Sequence, residues 1–278
     1  MITIQDLAFR YSKQAVIFEG LNLEIAPGHI HGLLGKNGVG KTTLLKLIGG
    51  LTFPGSGSVT VDGHNPAKRE PRLLADIFYV PEEVSVPSMT PQKFAEIHGG
   101  FYPAYDPGQF RKFIGMFEVD PTQSCTRMSY GQKKKTMIAF ALAVNTRYLF
   151  LDEPAGGLDI SSKAALRTVL ASSFDPEKTI ILSTHMVRDL ENMIDSVIIL
   201  ENRRIILNQP LEEIARRLRF ELAPFAAASG DVIWSAKGEP GEPVISLNSS
   251  GMQGNVDLET LFTACIQAPA QISACFQL

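Results

Sequence analysis

Residues 35–42 read GKNGVGKT and fit G-x-x-x-x-G-K-[ST], a loop pattern that cradles phosphate. No other stretch restricts the fold so tightly. Gly35, Gly38 and Gly40 let the backbone curl until successive N–H groups point at phosphate oxygens. The helix expected next, with TLLKLIGGL as its body, adds the positive end of its dipole. Lys41 stands where an ammonium neutralises the outer phosphates, and Thr42 offers a hydroxyl to Mg²⁺. The apolar run IHGLL (Ile30–Leu34) precedes the loop as a buried strand would. Strand, loop and helix in that order predict an α/β fold with a P-loop NTPase core.

Composition excludes several classes. The chain has 278 residues and is 45% hydrophobic, enough for a sizeable core. A net charge of −3 argues against a bulk nucleic-acid binder, so no nucleic-acid partner is expected. The short basic runs 133–135 and 216–219 read as solvated helix faces. Cys125, Cys265 and Cys275 are too few and scattered for a disulfide framework or zinc site, which fits a reducing cytosol. The N-terminus lacks a basic segment followed by an apolar one, so no signal peptide is expected. No window approaches 18 apolar residues without interruption, and any membrane role must come through a partner.

The first 25 residues alternate polar and apolar, as half-exposed antiparallel strands do. SVTVDG, entered through the turn at Pro54, Gly55, Ser56 and Gly57, predicts a second strand pair. YLFLD, TIILST and SVIIL are continuous apolar runs, the mark of parallel strands covered on both faces. From about 86 to 144 the pattern is helical. Thr90-Pro91 starts a helix, and Phe110, Phe113, Ile114 and Phe117 form one apolar face. From about residue 219 Gly, Pro, Ser and Ala dominate, with the β-like runs DVIW and VISL. DLETLFTACI, capped by Asp257, closes the chain. The expected division is an ATPase domain over 1–218, with its helical subdomain at about 86–144, and an α+β accessory domain over 219–278.

A nucleotide site needs more than a cradle. YLFLDEP puts Asp152 and Glu153 at the end of a buried strand, beside the phosphates. Adjacent carboxylates there are costly unless a cation or hydrogen bonds hold them. Asp152 is the expected Mg²⁺ partner, directly or through water. Glu153 is placed to act as general base on the attacking water. One strand later, His185 is positioned for the γ-phosphate.

This order, with MSYGQ at 128–132 ahead of the Asp-Glu strand, resembles the ATP-binding cassette (ABC) family. There an LSGGQ-like signature starts a helix that caps the γ-phosphate of ATP held by a partner subunit. Ser129 and Gly131 match; Met128 and Tyr130 depart from the pattern. The resemblance covers about residues 1–215. It implies ATP contacts from Gly35, Lys36, Asn37, Gly38, Val39, Gly40, Lys41, Thr42 and Thr43, and across the dimer from Ser129, Tyr130, Gly131 and Gln132. Tyr11 falls where an aromatic ring stacks on adenine, Asp159 where a loop looks across the dimer, and His185 at the switch histidine. Glu82 takes the place usually held by glutamine, as in export-type members that read Pro-Glu-Glu. FYPAYD at 101–106 and the closing helix also look similar to bacterial export-type members.

The resemblance therefore implies an ATP-hydrolysing subunit that drives export through integral membrane permease subunits, as a homodimer or heterodimer on the cytoplasmic face. The alternatives are a soluble ATPase of translation or DNA repair, or a non-catalytic nucleotide-binding regulator. A single phosphate loop, no room for a long coiled coil between Lys41 and Ser129, and an intact Glu153 and His185 weigh against them.

Overall fold

The computed structural model describes residues 1–190, 192–223, 232–237, 239, 241–248 and 254–276. Its N-terminal alternation becomes β1 (Ile2–Arg10) and β2 (Val16–Ile25), paired antiparallel with Ile2 opposite Ile25. β3 (Ile30–Leu34) then crosses the core and leads through the phosphate loop into α1 (Lys41–Ile48). α1 stops short of the expected TLLKLIGGL body. Gly50 takes φ +66°, and the Leu51 amide bonds back to the Lys46 carbonyl at 2.8 Å, closing the helix. In place of a second strand pair there is one strand, β4 (Ser56–Val61), on the free edge of β1. Gly57 lies inside it, not in a turn. At φ +79° it faces the irregular step of β1 between Gln5 and Ala8, and a β-carbon there would meet the Asp6 carbonyl oxygen at 2.3 Å.

α2 (Pro71–Ala75) and β5 (Ile77–Val80) follow, then three helices: α3 (Pro91–Gly99), α4 (Pro107–Met116) and α5 (Tyr130–Ala143). Thr90 caps α3 through its hydroxyl, and Phe110, Phe113, Ile114 and Phe117 are buried as expected. The chain continues through β6 (Tyr148–Asp152), α6 (Ile160–Ser173), β7 (Thr179–Thr184), β8 (Ser196–Glu201), β9 (Arg204–Pro210) and α7 (Leu211–Arg217). Six strands form the central sheet in the order β5-β6-β7-β3-β8-β9; only β9 runs antiparallel.

The apolar runs are continuous because both faces of this sheet are covered. Leu149, Leu151, Ile180 and Leu182 join a core beneath the helices, while Phe150, Ile181 and Ile198 pack toward α1 and the N-terminal sheet. All phosphate-site strands therefore end at one rigid edge.

The tail adds β10 (Leu218–Leu222), β11 (Val232–Ser235) and β12 (Pro243–Leu247), a sheet ordered β10-β12-β11. α8 (Leu258–Gln267) is capped by Asp257, and α9 (Pro269–Ala274) follows it where no further helix was expected. Trp234, Ile245, Leu261 and Cys265 belong to the same apolar cluster as Val197 and Ile214. The tail shares the core beneath it. Part of the Gly/Pro/Ser-rich stretch, 224–231 with Asp231 of DVIW, lies outside the described residues. All three cysteines are free, and no helix among the described residues is long and apolar enough to cross a membrane.

His31 on β3 gives a pH test of this core. It is buried, its Nε2 bonds the Ala26 carbonyl at 2.9 Å, and Nδ1 has no partner among the described residues. Burial, offset in part by the Ala26 bond, lowers its pKa from the usual 6.5 to about 4. The folded state therefore resists a proton that the unfolded chain accepts, and stability is lost as pH falls from about 6.5 toward 4. Linkage puts the loss at roughly 2 kcal/mol by pH 5. Urea unfolding at pH 7 and pH 5 should show it, and His31→Gln, which keeps a donor for Ala26, should lose that part of the difference.

Candidate functional site

The phosphate loop forms as its glycines require. Gly40 adopts φ +116°, and a β-carbon there would sit 2.9 Å from the Ile17 and Phe18 side chains. Lys36 and Val39 belong to the bend itself, where the Val39 amide donates to the Lys36 carbonyl at 3.3 Å. The loop ends at the N-terminus of α1, with Lys41 and Thr42 in its first turn. Lys41 is buried; Nζ donates to the carbonyls of Gly35 at 2.8 Å and Lys36 at 3.3 Å and lies 3.6 Å from Glu153 Oε1. Burial pulls its pKa below the usual lysine value, and the Glu153 charge opposes that pull. Tyr11, Asn37, Gly38, Gly40, Lys41, Thr42, Thr43, Glu82, Glu153 and His185 line one pocket of about 510 Å³. Tyr11 is largely exposed; its ring stands edge-on to Phe9 and its hydroxyl lies 3.1 Å from Thr43 Oγ1.

The carboxylates sit at the end of β6, held from β5 and β7. The Ser183 hydroxyl donates to Asp152 Oδ1 at 2.5 Å and Tyr79 to Oδ2 at 3.0 Å. Burial and the Asp152 charge raise the Tyr79 phenol far above its usual pKa, so it stays a donor. The Glu153 carboxylate accepts from Thr184 Oγ1 at 3.0 Å and lies 2.9 Å from His185 Nδ1. Its backbone is left-handed, φ +47°, an uncommon state for a residue with a β-carbon. Among the described residues no group of three or more His, Cys, Asp or Glu side chains could hold a metal ion. That donor set suits Mg²⁺, which keeps waters and leans on phosphate oxygens, better than a metal needing a protein cage.

The signature residues lie apart from this pocket. Ser129 caps α5 in a capping box: its hydroxyl accepts from the Gln132 amide at 3.2 Å, and Gln132 Oε1 accepts from the Ser129 amide at 3.0 Å. Ser129 is exposed, and a β-carbon on Gly131 would meet nothing nearer than 3.7 Å. The Tyr130 hydroxyl donates to the Glu82 carbonyl. Asp159 caps α6, accepting from the Ser162 amide at 2.7 Å and Ser161 Oγ at 3.0 Å; the Ser162 bonds lead in holding its pKa at about 2.

Two site residues escaped the sequence reading. Tyr79 lies inside β5, and no sequence motif marks it. Lys134 contradicts the expectation of a solvated face for 133–135: it is 1% exposed, donating to the carbonyls of Glu153 at 2.6 Å and Gly156 at 2.9 Å. The signal was present, since Lys134 stands four residues before the buried Ile138 on the inward stripe of α5. Nor is 216–219 one solvated helix face: Arg216 is exposed, Arg217 is partly covered with both paired to Glu213, Leu218 is buried and Arg219 lies on β10.

A family model described as ABC transporter matches residues 18–156. The chain is also 33% identical over 245 residues to the manganese transport system ATP-binding protein MntB of Listeria innocua. That match spans 82% of this chain and all of its relative. The chain belongs to the ABC transporter ATP-binding family. It is an ATP-binding and ATP-hydrolysing subunit of such a transporter. Nod factor export ATP-binding protein I of Ralstonia nicotianae is 27% identical over 274 residues, covering 90% of this ABC subunit and 85% of that protein. Among solved structures, a dimeric post-hydrolysis ATP-binding cassette bound to ADP and Pi superposes with a TM-score of 0.66. At 22% identity it covers 76% of this chain and 99% of its own, and shows the shared fold.

Proposed function

We propose that this ABC subunit drives export, as a head-to-tail pair of two copies docked on separate integral membrane permease subunits. One observation carries the pairing. Lys41, Glu153 and His185 converge on a single pocket, whereas Ser129 and Gly131 lie outside it. Nothing among the described residues demands a glycine at 131, since a β-carbon there has room. The demand comes from a second copy, whose triphosphate approaches the start of α5. Each ATP then lies between 35–43 of one copy and 129–132 of the other, with Tyr11 against adenine and Asp159 facing the seam.

In hydrolysis, water attacks the terminal phosphate and passes its proton to the Glu153 carboxylate, while His185 contacts that phosphate. Thr42 and Asp152 would hold Mg²⁺, Asp152 directly or through water, with its carboxylate already oriented by Ser183 and Tyr79. Bound there, Mg²⁺ neutralises charge building on the phosphate oxygens. Cleavage removes the γ-phosphate contacts that join the copies, and the pair releases.

The export direction is supported by Pro81-Glu82-Glu83, by 101–106 and by the likeness to a Nod factor export protein. Residues 219–278 act in this reading as an accessory domain, and the subunit is peripheral on the cytoplasmic face of the membrane. If its permeases are reconstituted with the ATPase outside, ATP should load substrate into the vesicle; ATP-driven loss from the lumen would reverse the direction. Gly131→Asp tests the pairing. It should keep the parental melting temperature and the monomer's ATP affinity, yet sediment as a monomer with Mg²⁺ and ATP and hydrolyse at least tenfold more slowly. A dimer of normal activity would refute the seam.

A further inference from the structure

Lys134 is a buried cation outside the pocket. Taking an ammonium out of water costs several kcal/mol unless its donors are satisfied and opposite charge is near. Opposite charge is near, and two of the three N–H donors have carbonyl partners. Nζ donates to the carbonyls of Glu153 and Gly156, the two ends of the turn that follows β6, and lies 5.7 Å from the centre of the Tyr130 ring. Burial pulls its pKa below the usual lysine value, while Glu82, Glu153 and Asp152 act to keep it charged.

The turn it grips needs holding. Glu153 sits at φ +47°, and its amide is fixed by Ser183 O and Oγ, each at 3.1 Å. Its carbonyl is fixed by Lys134 at 2.6 Å. With both flanking peptides anchored, the direction of the Glu153 Cα–Cβ bond is set, and with it the reach of the carboxylate.

We propose that Lys134 is a positioning residue for ATP hydrolysis: from the signature helix, its ammonium pins the Glu153–Gly156 turn so that the Glu153 carboxylate meets the attacking water. This rests on the reading of Glu153 as general base. Lys134 is buried and does not line the phosphate pocket. It acts through Glu153, and that makes it separable from a residue that merely supports the fold.

The test is a cycle of Lys134→Met with Glu153→Gln, read as single-turnover hydrolysis of bound Mg²⁺-ATP beside equilibrium ATP binding. Misplacing a catalytic group by about 1 Å costs on the order of 10²-fold. Lys134→Met should therefore slow hydrolysis about 10- to 100-fold, with ATP affinity within about threefold of the parent. In the Glu153→Gln background the same substitution should change the rate less than about threefold. A single variant within threefold of the parent, or an equal loss in both backgrounds, overturns the proposal. If Lys134→Met does not fold, Lys134→Gln takes its place, since its amide offers N–H donors to the same carbonyls. A loss of about three- to tenfold is then expected, again absorbed by Glu153→Gln; no loss, or one that persists, overturns the proposal. Should Glu153→Gln itself hydrolyse at the parental rate, the base assignment fails and the anchor with it. A slow Glu153→Gln with an unabsorbed Lys134 effect removes the anchor alone.

Discussion

Glu153→Gln should lower ATP turnover by on the order of 10²- to 10⁴-fold while ATP still binds. The amide is nearly the same size and can still accept from Thr184, so the end of β6 should keep its shape. What disappears is the carboxylate that takes the water's proton. Affinity should hold or rise, for a reason visible without nucleotide. Glu153 Oε1 lies 3.6 Å from Lys41 Nζ, a pairing that incoming phosphates must compete with. Removing that charge frees the ammonium for the phosphates. Phosphate release and equilibrium binding on one preparation separate the two effects. Normal turnover would show that another group takes the proton.

Lys41→Ala should act on the other quantity. Its Nζ is buried and already turned toward the Gly35 and Lys36 carbonyls, inside the loop that receives phosphate. Losing a charge-assisted bond of about 1.5–3 kcal/mol weakens ATP binding by roughly 10- to 150-fold. Fluorescent-nucleotide titration measures it directly. Unchanged affinity would mean that the loop amides and the α1 dipole suffice, and that the cradle as described is wrong.

How far this was legible in the sequence depended on how local each signal was. β3, β6 and β7 fall at the expected residues because each is an apolar run bounded by polar or turn residues. The Thr90 and Asp257 caps were legible for the same reason: a cap's partners lie two or three residues away. Ends set by backbone geometry were harder. α1 gives way at Ile48 because Gly50 turns left-handed, and TLLKLIGGL alone does not reveal which glycine ends the helix. Pairings between distant segments were hardest. Nothing near Tyr79 announces its bond to Asp152, and nothing near Lys134 names the carbonyls 19 and 22 residues away. The tail's composition suggested a separate unit, yet Trp234 and Leu261 complete an apolar cluster shared with the central sheet. Composition reports polarity, not where an apolar minority packs.

The central claim is that nucleotide is held between two copies, and a structure of Glu153→Gln with Mg²⁺ and ATP tests it most directly. Two copies should be seen, with Ser129 Oγ of one within hydrogen-bond reach of the terminal phosphate bound by Lys41 of the other. Nucleotide contacted by one copy alone, with Ser129 remote from both triphosphates, would contradict the account.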